Sequence, residues 1–316
     1  MPMKKLVLFF CISLLPLWAE PQKIVYLVSP PRSLSVGFLR MMEARGDFKI
    51  YHEPTISPYH QAMGFTFSKD WFKPGAFQTF DEVKESLFKE NSNVFVKEMS
   101  FSLEMFLDED LTQRPNVYFI FLLRDPHSTV VSLYKKIIAI VNDLSEVKDF
   151  EEAIGYEAAY NIYQKIIKAG ARQPLVLLSE DLAASPKEIV QQVCDYVEIP
   201  WKEEALNWEN LGSVFDGQEE WHEGKRDAAI IQHWHGDAIR STQFQPLGSY
   251  DVDSVGTPTF HEVRNQDRER CKKVYSYSLP FYNFFRELPV FISIPCAGRF
   301  WEFVLSEASV LDKKTG

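Results

Sequence analysis

Five short, continuously apolar runs separated by stretches with helical spacing constrain the fold of this 316-residue chain more than any other feature. Such short runs without polar alternation suit strands that are buried on both faces, as in a parallel sheet. Strands that alternate with helices predict an α/β layer fold with right-handed crossovers. We therefore expect a three-layer parallel β-sheet flanked by helices, with strands over 23–28, 48–51, 93–97, 117–123 and 175–179.

Helix candidates fill the intervals between these runs. Two of them begin with a capping residue followed by a proline, Asp125–Pro126 and Ser185–Pro186, which is a typical helix start. Another begins in the turn after the first run, where apolar residues recur at helical spacing. The pattern also predicts a helix over 150–169.

The two ends of the chain differ from this α/β pattern. Residues 1–19 have a basic start, an apolar run and Ala19, the layout of a secretory signal peptide, which indicates export or secretion. The apolar run is too short to cross a bilayer comfortably, so no stable membrane span is expected. The alternative is an apolar segment packed on the domain. Residues 20–316 are predicted to form one domain, with a core over about 23–200 and a helical C-terminal extension over 201–316.

Charge and cysteine content exclude some classes of protein. The net charge of −10 argues against nucleic-acid binding, which favours a basic surface. A cleft with a few arginines can still be locally positive and bind a small anion. The 4 cysteines include no CxxC pair, so a full disulfide framework is not predicted.

The turn between the first strand and its helix, in "LVSPPRSLSVGFLR" (27–40), has the character of an anion-binding loop. A helix that begins inside such a turn directs free backbone N–H groups and the positive end of its dipole to one point. Ser33 and Ser35 add hydroxyls, and Arg32 adds a fork of charged donors. The GK[ST] of a nucleoside-triphosphate loop is missing, which predicts phosphate binding without magnesium. The alternative is an ordinary capped helix.

A second motif, "LLRDPHSTVVSLY", follows the fourth predicted strand. It places Arg124 at the strand end and Ser132 two turns into the next helix, so both side chains can face a common anion. In the alternative interpretation Arg124 pairs with Asp125 or another carboxylate. Ligands in parallel α/β sheets bind beyond the carboxyl ends of the strands, where both motifs fall.

Together these motifs resemble the sulfotransferase family, which uses 3'-phosphoadenosine 5'-phosphosulfate (PAPS). The family's 5'-phosphosulfate loop resembles Pro31–Ser35, and its 3'-phosphate motif resembles Arg124–Pro126 followed by Ser132. A third segment, "LSEDLAASPKEIVQQVCDYVEIPW", is similar to the family's acidic-leucine pair before a Pro-started helix that ends in x-I-P-W. The resemblance covers about residues 23–201.

This resemblance implies a P-loop/sulfotransferase-like fold, PAPS as co-substrate, adenosine 3',5'-bisphosphate as product, and no metal. Arg32 is assigned an additional catalytic role, the stabilisation of charge on the departing phosphate. Many relatives have a Gly or Thr where this loop has Leu34 and Val36, and the Gly-rich nucleotide-contacting segment of cytosolic relatives is not recognisable in 201–316. The implied donor-binding residues are Arg32, Ser33, Leu34, Ser35, Val36, Arg124 and Ser132.

The general base is expected after the second strand, in "FKIYHEP". In several branches of the family a Glu at this place is the base, and Glu53 resembles it; the alternative is that Glu53 caps the Pro54 turn. His52 is expected to point the other way, because strand side chains alternate. Glu98 and Lys97 are the reserve candidates, with a surface Lys97 pairing Glu98 as the alternative.

The histidines of "QHWHGD" do not predict a metal site, since His233 and His235 share a face only in a strand and no third ligand is obvious. Trp234 is expected to pack in the core, although it or Ser241 and Thr242 can line the pocket instead. The loop over 52–72 is expected to cover the cleft and to recognise the acceptor.

The expected reaction is in-line transfer of a sulfuryl group from PAPS to a hydroxyl or amine of a small-molecule, glycan, lipid or peptide acceptor. Two alternatives stay open. One is an exported protein of the same fold that binds without turnover. The other is a nucleotide-dependent kinase, which the missing GK[ST] disfavours.

Overall fold

A computed structural model describes residues 22–64, 72, 75–209, 228–247 and 258–288. Its centre is a five-stranded sheet in the order β2-β3-β1-β4-β5, with every neighbouring pair parallel. The predicted α/β fold with a parallel sheet is therefore confirmed. The strands are β1 (Ile24–Ser29), β2 (Lys49–His52), β3 (Val94–Met99), β4 (Val117–Leu123) and β5 (Leu175–Leu178).

Helices cover both faces of the sheet, which explains why the strands contain so few polar residues. Alternation along β1 places Tyr26 in one apolar core, beneath α6, α8 and α12, and Val25 and Leu27 in the other, beneath α1 and α10. The helices are α1 (Ser35–Ala44), α2 (Ile56–Ala62), α3 (Phe80–Lys89), α4 (Ser100–Phe106), α5 (Glu109–Thr112), α6 (Pro126–Ile138), α7 (Phe150–Ala153), α8 (Tyr156–Lys168), α9 (Ser179–Ala184), α10 (Pro186–Val197), α11 (Ala228–Arg240) and α12 (Arg268–Glu287).

Two helix starts differ from the sequence prediction. The helix expected over 150–169 is divided into α7 and α8 by Gly155, whose φ of 74° lies in the left-handed region that favours glycine. Asp125 caps α6 as predicted, because its side chain accepts from the Ser128 N–H. Ser185 occupies the cap position of α10 without a side-chain capping hydrogen bond.

The described part of the C-terminal region is helical, as expected. It contributes α11, which borders the carboxyl edge of the sheet, and α12, which packs on α6 and α8. The signal-peptide-like segment 1–19 lies outside the described residues, and the division into one domain with an extension stays a prediction. Within the described ranges, no helix combines the length and the apolar character needed to cross a bilayer.

Candidate active site

A cleft of about 680 Å³ lies at the carboxyl edge of the sheet, where the sequence placed the ligand. The opening turn (Pro31–Gly37) lines it together with Glu53 after β2, Lys97 on β3 and Arg124 after β4. Helix α11 contributes Trp234, His235, Asp237 and Ala238 to the same cleft. Its volume is in the range of small-molecule sites.

The opening turn has a strained backbone that brings its donors to the cleft. Arg32 and Leu34 adopt positive φ values of 64° and 61°, which are costly for residues with a side chain. The first hydrogen bond of α1 runs from the Phe38 N–H to the Leu34 carbonyl. The preceding N–H groups, including those of Ser35 and Val36, therefore have no acceptor within the helix, as at any helix start. This arrangement suits an anionic ligand.

The two predicted arginines lie next to each other. Arg124 donates from Nη1 to the Arg32 carbonyl at 3.0 Å, and Arg32 donates from Nε to the Ser132 Oγ at 3.1 Å. Arg32 Nη1 also donates to the Trp234 carbonyl at 2.7 Å. These hydrogen bonds join the opening turn directly to the second motif, so the two predicted anion-binding motifs form one continuous surface.

Burial dominates the electrostatics of these arginines. Burial lowers the pKa of Arg124, opposed first by the negative charge of Glu180. Burial likewise lowers the pKa of Arg32, opposed by Asp237 and reinforced by the positive charge of Arg124. Bringing two guanidinium groups together in a half-buried cleft is unfavourable by itself, and an anion bound between them would relieve it.

Two buried donors in the described part of this site have no hydrogen-bond partner. They are the Ser33 Oγ and the Arg124 Nε. A buried polar group that stays unpaired costs on the order of 1–3 kcal/mol, so such groups need an explanation. Phosphate or sulfate oxygens would satisfy both donors, so the residues fit an anionic group of this kind.

Glu53 directly follows β2 and makes two contacts with Lys97 of β3. Its N–H donates to the Lys97 carbonyl at 2.6 Å, and its Oε1 forms an ion pair with Lys97 Nζ. Both side chains are buried. The alternative of a surface Lys97 that pairs Glu98 was wrong, because β3 is an interior strand covered on both faces.

The expectation that His52 points away from Glu53 was also wrong. Glu53 has a φ of 53°, so the strand's alternation ends there and its carboxylate turns back towards the His52 ring. His52 Nε2 and Glu53 Oε1 are 3.4 Å apart. The result is a buried row of His52, Glu53 and Lys97.

Glu98, a reserve candidate for the base, lies outside the residues that line the cleft. Its Oε1 accepts from the Thr55 N–H at 3.0 Å, and it is completely buried. Burial raises the pKa of Glu98 to about 8, with the charge of Glu53 adding to the increase. These contacts indicate a structural carboxyl group behind the site.

The two histidines of "QHWHGD" lie on helix α11 and do not share a face. His233 Nε2 lies 2.9 Å from the Lys136 carbonyl, whereas the His235 ring packs on His52 with ring centroids 4.8 Å apart. His52, Glu53 and His235 each bring one ligand atom within 4.8 Å of the others, a set able to hold a metal ion. Sequence reasoning missed this group because it considered the histidines that are adjacent in sequence.

The sequence predicted some of the other residues that line the cleft. From the predicted loop, Ile56, Tyr59, His60 and Phe72 line the cleft, while 65–71 and 73–74 lie outside the described residues. Ser241 lines it as well, and its Oγ accepts from Trp208 Nε1. The Trp234 ring packs against the core, as expected, and its carbonyl also accepts from Arg32.

Tyr156 is a site residue that sequence reasoning missed. Its hydroxyl donates to the Arg124 carbonyl and lies 3.0 Å from the Thr129 Oγ1, so it holds the backbone that carries Arg124. No sequence motif includes this tyrosine, because it lies at the start of α8, whose pattern is that of an ordinary amphipathic helix.

Fold and site together define a parallel α/β protein whose sheet carries, at its carboxyl edge, a cleft lined by Arg32, Arg124 and the start of α1. Residues 78–203 match the sequence model of the Sulfotransferase family. The match confirms the resemblance predicted from the motifs. It contains Lys97, Arg124 and Ser132, and it begins after the opening turn and Glu53.

Similar proteins were found among curated sequences and solved structures. The chain is 23% identical over 260 residues to branched-chain-amino-acid aminotransferase-like protein 1 of Arabidopsis thaliana, a match to 78% of this chain and 42% of that protein. The chain thus spans less than half the length of this relative. Among structures, the sulfotransferase domain of the Synechococcus olefin synthase has 17% identity and a TM-score of 0.45, covering 81% of this chain and 95% of that domain. A mouse sulfotransferase complexed with PAP has 10% identity and a TM-score of 0.44, covering 84% of this chain and 87% of that one.

Proposed function

We propose that this protein is a PAPS-dependent sulfotransferase that transfers a sulfuryl group to a hydroxyl or amine acceptor. One observation carries the proposal: the opening turn, Arg124 and the Glu53–Lys97 pair line a single cleft. The family match of residues 78–203 supports the same class of reaction. The cleft offers donors for the phosphates of PAPS on one side and a buried carboxylate on the other.

The donor is held by the opening turn and the arginines. The N–H groups at the start of α1, with the hydroxyls of Ser33 and Ser35, face the 5'-phosphosulfate. Arg124, which donates to the Arg32 carbonyl, binds the 3'-phosphate. Ser132 accepts from Arg32 Nε and so holds the Arg32 side chain in place. Because the Arg32 side chain reaches Ser132, it lies between the two phosphate positions.

Glu53 accepts the proton of the acceptor hydroxyl. As the acceptor oxygen forms its bond to sulfur, the bond between sulfur and the phosphate oxygen breaks, and the electron pair leaves with adenosine 3',5'-bisphosphate. Arg32 and the backbone donors stabilise the charge on that leaving group. Lys97 orients the Glu53 carboxylate and, after proton transfer, is released from this ion pair to face the sulfuryl oxygens.

Donor recognition is tested by thermal shift with adenosine 3',5'-bisphosphate, with ADP–Mg²⁺ and with buffer alone. A ligand at a hundredfold excess over its Kd adds about 2.7 kcal/mol to the free energy of unfolding. We expect stabilisation by the bisphosphate. Stabilisation by ADP–Mg²⁺ alone would favour the kinase, and stabilisation by neither would favour a binding protein without turnover.

Ser33→Ala separates recognition of the donor from support of the fold. The Ser33 Oγ is buried without a partner among the described residues, so its removal should leave the free energy of unfolding unchanged or slightly higher. We expect the bisphosphate affinity to fall about tenfold, the equivalent of one good hydrogen bond. Arg124→Ala should abolish the bisphosphate shift, while Arg172→Ala, which changes an exposed arginine outside the cleft, serves as control.

Glu53→Gln tests the proton transfer. The variant should keep the bisphosphate shift and lose turnover of PAPS, measured as release of the bisphosphate. Glu85→Gln, which changes an exposed carboxylate outside the cleft, is the control. Retained turnover in Glu53→Gln would reassign the base to a neighbouring histidine, His52 or His235.

A further inference from the structure

The cleft has a second wall that the donor does not need. Residues between 133 and 153 contribute eight of its lining side chains, which we call the acceptor wall. Six are apolar and two are carboxylates. They are Leu133, Ile137, Ile140, Val141, Glu146, Val147, Asp149 and Ala153.

The acceptor wall is a poor surface for the donor. PAPS carries several negative charges, and the two carboxylates of the wall, Glu146 and Asp149, repel them. The basic side chains that line the described part of the cleft, Arg32, Arg124 and Lys97, all belong to other elements. The donor is therefore drawn to the arginines, and the wall is left to the acceptor.

The apolar part of the wall is partly open to solvent, since Leu133 and Ile137 are buried, whereas Ile140 is exposed. Ile140 is 48% exposed although it is a large hydrophobic side chain. The rings of Tyr59 and Phe101 extend the apolar surface across the cleft, with centroids 5.2 Å apart. An apolar molecule that covers this surface gains about 25 cal/mol for each Å² removed from water.

The two carboxylates of the wall bring negative charge to this side of the cleft. Within the described ranges of the chain, neither Glu146 nor Asp149 forms an ion pair, and the neighbouring Lys148 is not among the lining residues. The negative field reaches into the cleft: the pKa of Tyr59 is raised by burial and then by the charge of Asp149. A group that binds between the wall and Tyr59 is stabilised by carrying a positive charge.

We propose that the acceptor is an apolar amino alcohol, whose alkyl part covers the acceptor wall and whose ammonium group faces Glu146 and Asp149. This inference rests on the proposed function. The hydroxyl is the nucleophile, because a protonated amine has no free electron pair. Its oxygen forms the new bond to sulfur, its proton goes to Glu53, and the ammonium group remains unchanged. An acidic glycan or fatty hydroxy acid is disfavoured.

The test compares three acceptors of equal, medium alkyl chain length: an amino alcohol, the plain alcohol and the hydroxy acid. With PAPS and the full-length chain, kcat/KM should decrease in that order. The double variant Glu146→Gln, Asp149→Asn should reduce the ratio of amino alcohol to plain alcohol about fivefold, since exposed ion pairs each contribute about 0.5 kcal/mol. Glu188→Gln, which changes an exposed carboxylate outside the cleft, should keep the ratio.

The possible failures are distinguishable. Equal rates for all three acceptors, a preference for the hydroxy acid, or an unchanged ratio in the double variant overturns the acceptor class and leaves sulfuryl transfer intact. If the bisphosphate stabilises the protein but none of the three acceptors is used, the acceptor class is again overturned. If the bisphosphate does not stabilise the protein, the proposed function fails, and the inference fails with it.

Discussion

Replacing Glu98 by Gln tests how the buried carboxyl group behind the site affects stability. Glu98 is fully buried and accepts from the Thr55 N–H, and burial raises its pKa to about 8. In the unfolded chain a glutamate loses its proton near pH 4.3. Between these two values the folded state holds a proton that the unfolded state has lost, so stability falls as pH rises.

The magnitude follows from the width of this window. Each pH unit well inside it costs about 1.4 kcal/mol, and because the slope decreases close to the folded pKa, about 2.3 kcal/mol should be lost between about pH 6 and pH 8. Glu98→Gln keeps the acceptor for Thr55 and cannot ionise, so it should not show this loss. Relative to the variant, the native chain should therefore become less stable as pH rises through the window, and the difference should level off above about pH 8.

Urea unfolding of both proteins across this pH range measures the difference directly, because effects of other titrating groups are shared and cancel. A difference that is constant with pH would mean that Glu98 is ionised in the folded protein throughout the range. A loss that is already complete at about pH 6 would mean that burial raises the pKa of Glu98 only slightly. Either result refutes the reasoning.

Two further substitutions test the packing around the site, both by chemical denaturation. Gly155→Ala should cost more than about 1 kcal/mol, because a Cβ there overlaps the Ser100 hydroxyl and the backbone is left-handed; Gly170→Ala, left-handed but with open space around it, should cost less. Tyr156→Phe should cost about 1–2 kcal/mol, because it leaves the Arg124 carbonyl without the tyrosine hydroxyl. An unchanged midpoint in either variant would contradict these contacts.

Local patterns predicted the sheet, and the edge of the sheet that carries the cleft, well. β1 and β4 are buried on both faces, and such strands are recognisable from apolar character alone. The opening turn and Arg124 could be placed at one edge because the carboxyl ends of parallel strands meet there. Helical spacing placed Ser132 on the face of α6 that meets the opening turn, where its Oγ accepts from Arg32 Nε; Ser132 itself is not among the residues that line the cleft, so its contact with an anion stays a prediction.

Contacts between segments distant in sequence could not be predicted. The ion pair of Glu53 with Lys97 depends on strand order, which brings β2 beside β3. The meeting of His52 and His235 depends on where α11 packs, and no local pattern encodes that position. The left-handed backbone at Glu53 breaks the alternation rule at the one residue where the prediction relied on it.

The double attachment of Glu53 to β3 separates the proposed general base from the acceptor wall. The hydrogen bond from the Glu53 N–H to the Lys97 carbonyl fixes the position of the Glu53 backbone, and the Lys97 ammonium fixes the direction of its carboxylate. Neither contact involves the segment from 133 to 153. Replacing the segment from 133 to 153 should therefore change which molecules enter the cleft without moving the Glu53 carboxylate. The sheet would stay the same in every such variant, and only the grafted segment would differ.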